Sequence, residues 1–149
     1  MIEMLATITL AGILMSITAN GMRTLNRQQR NERFARAVLW EVTVARSYAL
    51  RSSVDIGMVF DPVGKKITVR DSFGNTYRTV NFGSQTPFAG IGLSINTDGD
   101  SLVFSPRGMC LNCDPGGTTT ITLSNVAGRS ATMTVGVLGR AVLNGFSRT

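Results

Sequence analysis

The sequence predicts an α+β protein in which one long N-terminal helix packs against a C-terminal antiparallel β-sheet domain. Three observations predict it. The nineteen residues from Met4 to Met22 carry no charge. The stretch after them, "TLNRQQRNERFARAVLWEVTVARSYALRSS", keeps a helical period and contains no proline or glycine. From Val54 onward the period changes from 3.6 to 2, with polar turns between short runs. The chain of 149 residues therefore divides into a transmembrane and assembly helix (1–23), an amphipathic stalk helix (24–52) and a β domain (53–149).

At 1.5 Å per residue, the uncharged stretch forms a helix of about 28 Å, close to the ~30 Å hydrocarbon core of a bilayer. It is apolar around most of its circumference, not along one stripe, and it runs straight into arginines. A buried core helix fits that pattern poorly. A signal peptide fits poorly too, because the basic leading region and the small-x-small cleavage pattern are missing. The expectation is a membrane span carried by Met4, Leu5, Ile8, Leu10, Ile13, Leu14 and Ile17. Thr7, Thr9, Ser16 and Thr18 lower its hydrophobicity, although helical hydroxyls bond back to carbonyls one turn earlier. The span reads as a weak anchor that leaves the bilayer when protein partners are offered.

The helix is expected to continue past the span to about 50 residues, roughly 75 Å in all. Its second half is one-sided. Phe34, Val38, Val42, Ala45 and Ala49 recur at helical spacing and need a partner surface. The β domain is the candidate. "VDIGMVFD", "KITVRD" and "TYRTVNF", joined through "DPVGKK" and "SFGN", read as a three-stranded meander. "FAGIGLSIN" and "SLVFS" flank "TDGD" as a hairpin. "TTTITLS" and "RSATMTVGVLGRAVL" flank "NVAG" as another. The total is six or seven strands.

Charge and composition limit the chemistry. The net charge is +6, and its excess sits just after the oily segment, where six arginines between Thr24 and Ser52 face only Glu32 and Glu41. That distribution suits anionic lipid headgroups or nucleic acid. There is no histidine, which removes the usual general base and the commonest metal ligand. Cys110 and Cys113 form a C-x2-C pair in a Pro/Gly loop. One pair without histidine cannot complete a structural zinc site, and a redox pair usually opens a helix. A small structural disulfide worth about 2 kcal/mol is the leading reading, with free thiols and redox or metal chemistry as alternatives. Asp98 and Asp100 in "NTDGDS" lack the later ligands of a calcium loop and read as a turn. No nucleophile motif, phosphate loop or apolar carboxylate pair points to an enzyme, and no metal or cofactor is expected.

The opening "IEMLATITLAGILMSI", with Ile2, Glu3 and Leu5, resembles the mature start of the type IV pilin-like proteins. "LVFSPRG" followed by "TTTITLSNVAGRSATMTVGVLGRA" resembles the FimT/GspH group of minor pilins and pseudopilins. That group carries a Phe-x-Pro-x-Gly-like turn, a Thr-rich strand and a terminal strand ending in Gly-Arg. The resemblance implies a structural subunit of a type II secretion pseudopilus or a type IV pilus, near its tip. It implies an inner-membrane protein with a single span and a periplasmic C-terminal domain. It also implies a methylated N-terminus and partners: other pilins, prepilin peptidase acting on a longer precursor, and secreted cargo. Glu3 would meet the N-terminal amine of a neighbouring subunit, where the plain alternative is a carboxylate at the helix N-terminus. Two departures are present. Met1 lies only two residues before Glu3, and the first proline is Pro62, which suits a minor pilin or pseudopilin. Arg23, Arg27 and Arg30 would by charge alone favour the cytoplasm, so upstream residues are expected. Some members of the group bind DNA through a Gly-Arg-x-Arg pattern during uptake. Gly139 and Arg140 match its start, Val142 stands where the second arginine belongs, and Arg129 and Arg148 are the other bases nearby. DNA is the alternative partner.

Overall fold

The structure, a computed structural model, describes residues 2–83, 88, 91–97, 99–113, 119–125 and 129–148. Within its helix and strands the side chains of 2, 5, 6, 17, 19–21, 23–25, 27, 28, 125, 129 and 146–148 lie outside the description.

A single helix, α1 (Ile2–Ser52), opens the chain. Good helix formers and the absence of proline carry it past fifty residues. Ser53 ends it by turning left-handed, with φ 56°. Arg51 places a cation in the last turn, and the Ser52 hydroxyl donates to the Tyr48 carbonyl at 2.7 Å. Eight strands follow among the described residues: β1 (Ile56–Asp61), β2 (Lys66–Asp71), β3 (Thr76–Asn81), β4 (Ile91–Ile95), β5 (Ser101–Phe104), β6 (Thr119–Asn125), β7 (Arg129–Val135) and β8 (Ala141–Arg148).

They form two antiparallel four-stranded sheets, ordered β3-β2-β1-β5 and β4-β6-β7-β8. The fold class is therefore α+β, a helix against antiparallel sheets. The β1-β2-β3 meander pairs Met58 with Val69 and Ile67 with Val80. Alternation sets the inward face: Ile56, Met58 and Phe60 are buried while their neighbours are half-exposed. Phe34, Ala35, Val38, Val42, Ala45 and Ala49 of α1 are buried in one core with Ile56, Leu102, Ile121 and Met133 from both sheets. Three alanines on that stripe let the sheets approach the helix closely. Phe34, Phe82 and Phe88 close the end of the core nearer the N-terminus, with ring centroids 4.6, 5.2 and 5.7 Å apart.

Two expectations need correction. β4 and β5 are not a hairpin. Asn96 N–H still donates to Thr120 O in the second sheet, at 3.2 Å, whereas Asp100 O accepts from Phe60 N–H in the first, at 2.8 Å. The polar turn between them, with Gly99 and Asp100 both left-handed, carries the chain across from one sheet to the other. "RSATMTVGVLGRAVL" is also two strands, β7 and β8. A turn over 136–140 divides it: Gly139 N–H donates to Gly136 O at 2.8 Å and Gly136 N–H to Arg140 O at 3.0 Å.

The β domain covers only part of α1. Every described side chain from Glu3 to Arg30 is exposed. At 1.5 Å per residue, that is a helix projecting about 40 Å from the body. Among the described residues no helix is long and apolar enough to cross a membrane, so the structure does not show the expected span.

Candidate functional site

Two regions stand apart from the plain core: the projecting half of α1 and the junction at its opposite end.

On the projecting half, Glu3 lies in the first turn and is exposed. Beyond it Met4, Ile8, Leu10, Ile13 and Leu14 are between 58% and 74% exposed. Among the described side chains, burial of the helix by the β domain begins at Asn31. Leu5 and Ile17 belong to the same expected set, but their side chains lie outside the described residues. The hydroxyls of Thr7, Ser16 and Thr18 donate to Met4 O, Ile13 O and Leu14 O at 2.7 to 2.9 Å. The segment thus hides these polar groups and presents mostly apolar surface.

At the far end, α1, the loop after β5 and the β7–β8 turn meet. Arg46 Nε donates to the Gly108 carbonyl at 3.0 Å. Gly108 and Gly139 both have left-handed backbones, φ 75° and 70°. A Cβ on Gly139 would overlap the Gly108 carbonyl oxygen and press on Arg46, and one on Gly108 would crowd Arg46 Nε and Leu50 Cδ2. Only glycine allows this three-way approach. The glycines quoted from "SPRG" and "LGRA" thus acquire a physical reason.

Cys110 and Cys113 are joined as a disulfide, with Cα atoms 5.4 Å apart. The loop they close finishes the free edge of β5. Asn112 Oδ1 accepts from Val103 N–H at 2.8 Å, Asn112 Nδ2 donates to Ser101 O at 2.7 Å, and Leu111 N–H donates to Val103 O at 2.8 Å. One amide side chain and one peptide group stand in for a neighbouring strand. Cys110 N–H reaches across to Val137 O at 2.8 Å, tying the loop to the second sheet.

The arginines singled out for nucleic acid do not converge. Arg129 and Arg148 are register partners at one end of the β7–β8 pair, with side chains outside the described residues. Arg140 sits in the turn at the other end, about 20 Å away along the strands. Phe34, Val38, Val42, Ala45 and Ala49 lie under the sheets, each at most 1% exposed. Asp98 is outside the described residues. Among those described, no group of histidine, cysteine or carboxylate side chains could hold a metal ion.

Sequence reasoning missed two polar anchors. Glu41 is 3% exposed on α1. Arg78 Nε from β3 bonds its Oε1 at 3.1 Å and lies 3.0 Å from Oε2. Oε2 has no hydrogen bond of its own, so one nitrogen straddles both oxygens and the ion pair alone serves Oε2. Asp71 organises the β2–β3 turn, accepting from Phe73 N–H, Asn75 N–H and Asn75 Nδ2 at 2.8 to 2.9 Å. A glutamate on the buried face of α1, one turn from both Val38 and Ala45, is the trace of the first anchor.

No protein-family model matches the chain, and no curated protein does. Solved structures do. A crystal structure of the type IV minor pilin FimU of Pseudomonas aeruginosa aligns at 17% identity, covering 79% of this chain and 87% of that one, with a TM-score of 0.60. The minor pseudopilin EpsH of the Vibrio cholerae type 2 secretion system aligns at 12% identity over 76% of this chain and 95% of that one, TM-score 0.58. A second EpsH structure gives 10% identity over 81% and 97%, TM-score 0.59. At these identities the likeness is one of fold, and the fold is pilin-like.

Proposed function

We propose that the chain is a structural subunit of a pilin-like filament, a minor pilin of a type IV pilus or a pseudopilin of a type II secretion system, and not an enzyme. One observation carries the reading: α1 runs far beyond its own β domain and keeps apolar side chains exposed along that length. Burying a Leu or Ile side chain is worth about 1.5–3 kcal/mol. Packing this half-helix among like helices of neighbouring subunits would supply the missing contacts. Before assembly, the same surface would rest in the inner membrane as a single span, with the β domain in the periplasm. The uncharged run from Met4 to Met22 supports that placement. Glu3 would set the register by meeting a neighbour's N-terminal amine, which would favour docking in one axial position. A place near the tip, processing by prepilin peptidase and secreted cargo as a partner follow from the family resemblance alone. The DNA-uptake alternative gains nothing from the separated arginines.

The test is incorporation. Ile13→Asp and Glu3→Gln variants, expressed in the native host, should remain in the cell at normal levels. Their recovery in the sheared filament fraction should fall about tenfold or more, the effect of losing roughly 1.4 kcal/mol at each contact. Unchanged recovery of both variants would overturn the reading.

A further inference from the structure

The junction at the far end of α1 presents a surface that the filament reading leaves unused. Leu50, Val137 and Leu138 are 52%, 38% and 73% exposed there. A Cβ added to Gly108 would touch Leu50, and one added to Gly139 would overlap the Gly108 carbonyl, so the helix end lies beside the β7–β8 turn. Arg51, Arg107 and Arg140 adjoin these positions in the chain and are exposed. None of the three has an ion-pair partner among the described residues. Of the described acids, Glu41 is buried against Arg78, Asp61 pairs with Lys66, and Asp71 accepts from Phe73 and Asn75.

We propose that Leu50, Val137 and Leu138, flanked by Arg51, Arg107 and Arg140, are a docking surface for a protein partner whose contact face is acidic around an apolar centre. Arginine is enriched and lysine depleted at protein interfaces, whose centres are more apolar than their rims. Three unpaired guanidiniums leave a field that an acidic face would neutralise. The base is held in place: two left-handed glycines, the Arg46–Gly108 bond and the disulfide loop fix the turn, so binding need order only the side chains. A nucleic acid would gain nothing from the leucines and would find no aromatic ring among the six residues on which to stack a base. The surface lies about 70 Å along α1 from Glu3, so this proposal and the filament reading can fail separately.

The test uses the full chain, isotope-labelled in zwitterionic detergent micelles. The probes are a helical peptide with leucines on one face flanked by glutamates, its lysine counterpart, duplex DNA, and bicelles containing anionic phospholipid. The glutamate peptide should shift the amides of Leu50, Gly108 and Gly139. Leu138→Ser should weaken it about tenfold, as loss of one buried leucine requires. Arg107→Glu with Arg140→Glu should abolish it and admit the lysine peptide, while the core amides stay in place. Ile13→Asp should bind like the unaltered chain. No shifts with the glutamate peptide, binding indifferent to Leu138→Ser, or tighter binding of DNA or anionic bicelles would each overturn the proposal.

Discussion

Glu41 is a carboxylate at 3% exposure in the middle of a helix stripe, and it survives there because Arg78 reaches it from β3. Removing one partner of a fully buried pair costs about 3–5 kcal/mol, because a charge is left without compensation. Arg78 itself is 48% exposed, so water screens part of that loss. Arg78→Met should therefore destabilise the protein by about 2 kcal/mol in urea unfolding, and adding Glu41→Gln should recover part of it. Additive single losses would mean that the pair is not coupled. Asp71 makes a second case. The Asn75 side-chain amide is the chief reason its carboxyl sits below the usual carboxylate range, and backbone N–H donors and Tyr77 add to it against the opposing effect of burial. A carboxyl lowered by folding stabilises the protein above its unfolded value of about 3.9, and that stability is lost as pH falls through the folded value. Asp71→Asn should lower the melting temperature at neutral pH and flatten its decline below about pH 4. Parallel melting curves for the two proteins across that range would contradict this.

At the scale of elements, the sequence showed what depends on period and left hidden what depends on distant approach. Phe34 to Ala49 repeat at helical spacing, and Ile56, Met58 and Phe60 alternate, so both inward faces could be read directly. "TDGD" could not be read, because a short polar turn specifies that the chain reverses, not which sheet receives the next strand. The far junction was hidden for a different reason: Arg46 and Gly108 are 62 positions apart. Only the quoted glycines hinted at it. Gly139→Ala should cost at least about 2 kcal/mol, because a side chain there is both left-handed and in collision with Gly108. Gly136→Ala meets nothing within 4 Å and should be near neutral. The disulfide loop gives a parallel test. Cys110→Ser with Cys113→Ser should cost about 2 kcal/mol of loop entropy. Amide exchange at Val103, whose N–H is held by Asn112, should rise more than at Met58 in the neighbouring strand. Equal protection would mean that Asn112 holds the edge without the disulfide.

At the scale of the whole molecule, the filament proposal gives assembly to one half of α1 and leaves stability to the other. The described side chains from Glu3 to Arg30 are exposed, so they contribute little to holding the β domain together. Phe34 is where the shared core begins: it is 1% exposed and packs its ring on Phe82 and Phe88. Cutting the chain just before Gln29 should therefore leave a protein with its melting temperature within a few degrees of the full chain. Cutting before Val38 removes Phe34 and Ala35. Deleting a buried phenylalanine side chain costs about 3–5 kcal/mol, and near one hundred residues each kcal/mol shifts the midpoint by about 4–8 °C. The shorter fragment should thus melt at least about 12 °C lower, or fail to fold. A calorimetric comparison of the two fragments decides it. If both melt alike, Phe34 is not the limit of the core, and stability and assembly are not divided at that point of the helix. If the longer fragment already loses cooperativity, the projecting half supports the domain after all, and its exposed face cannot be free for neighbouring helices.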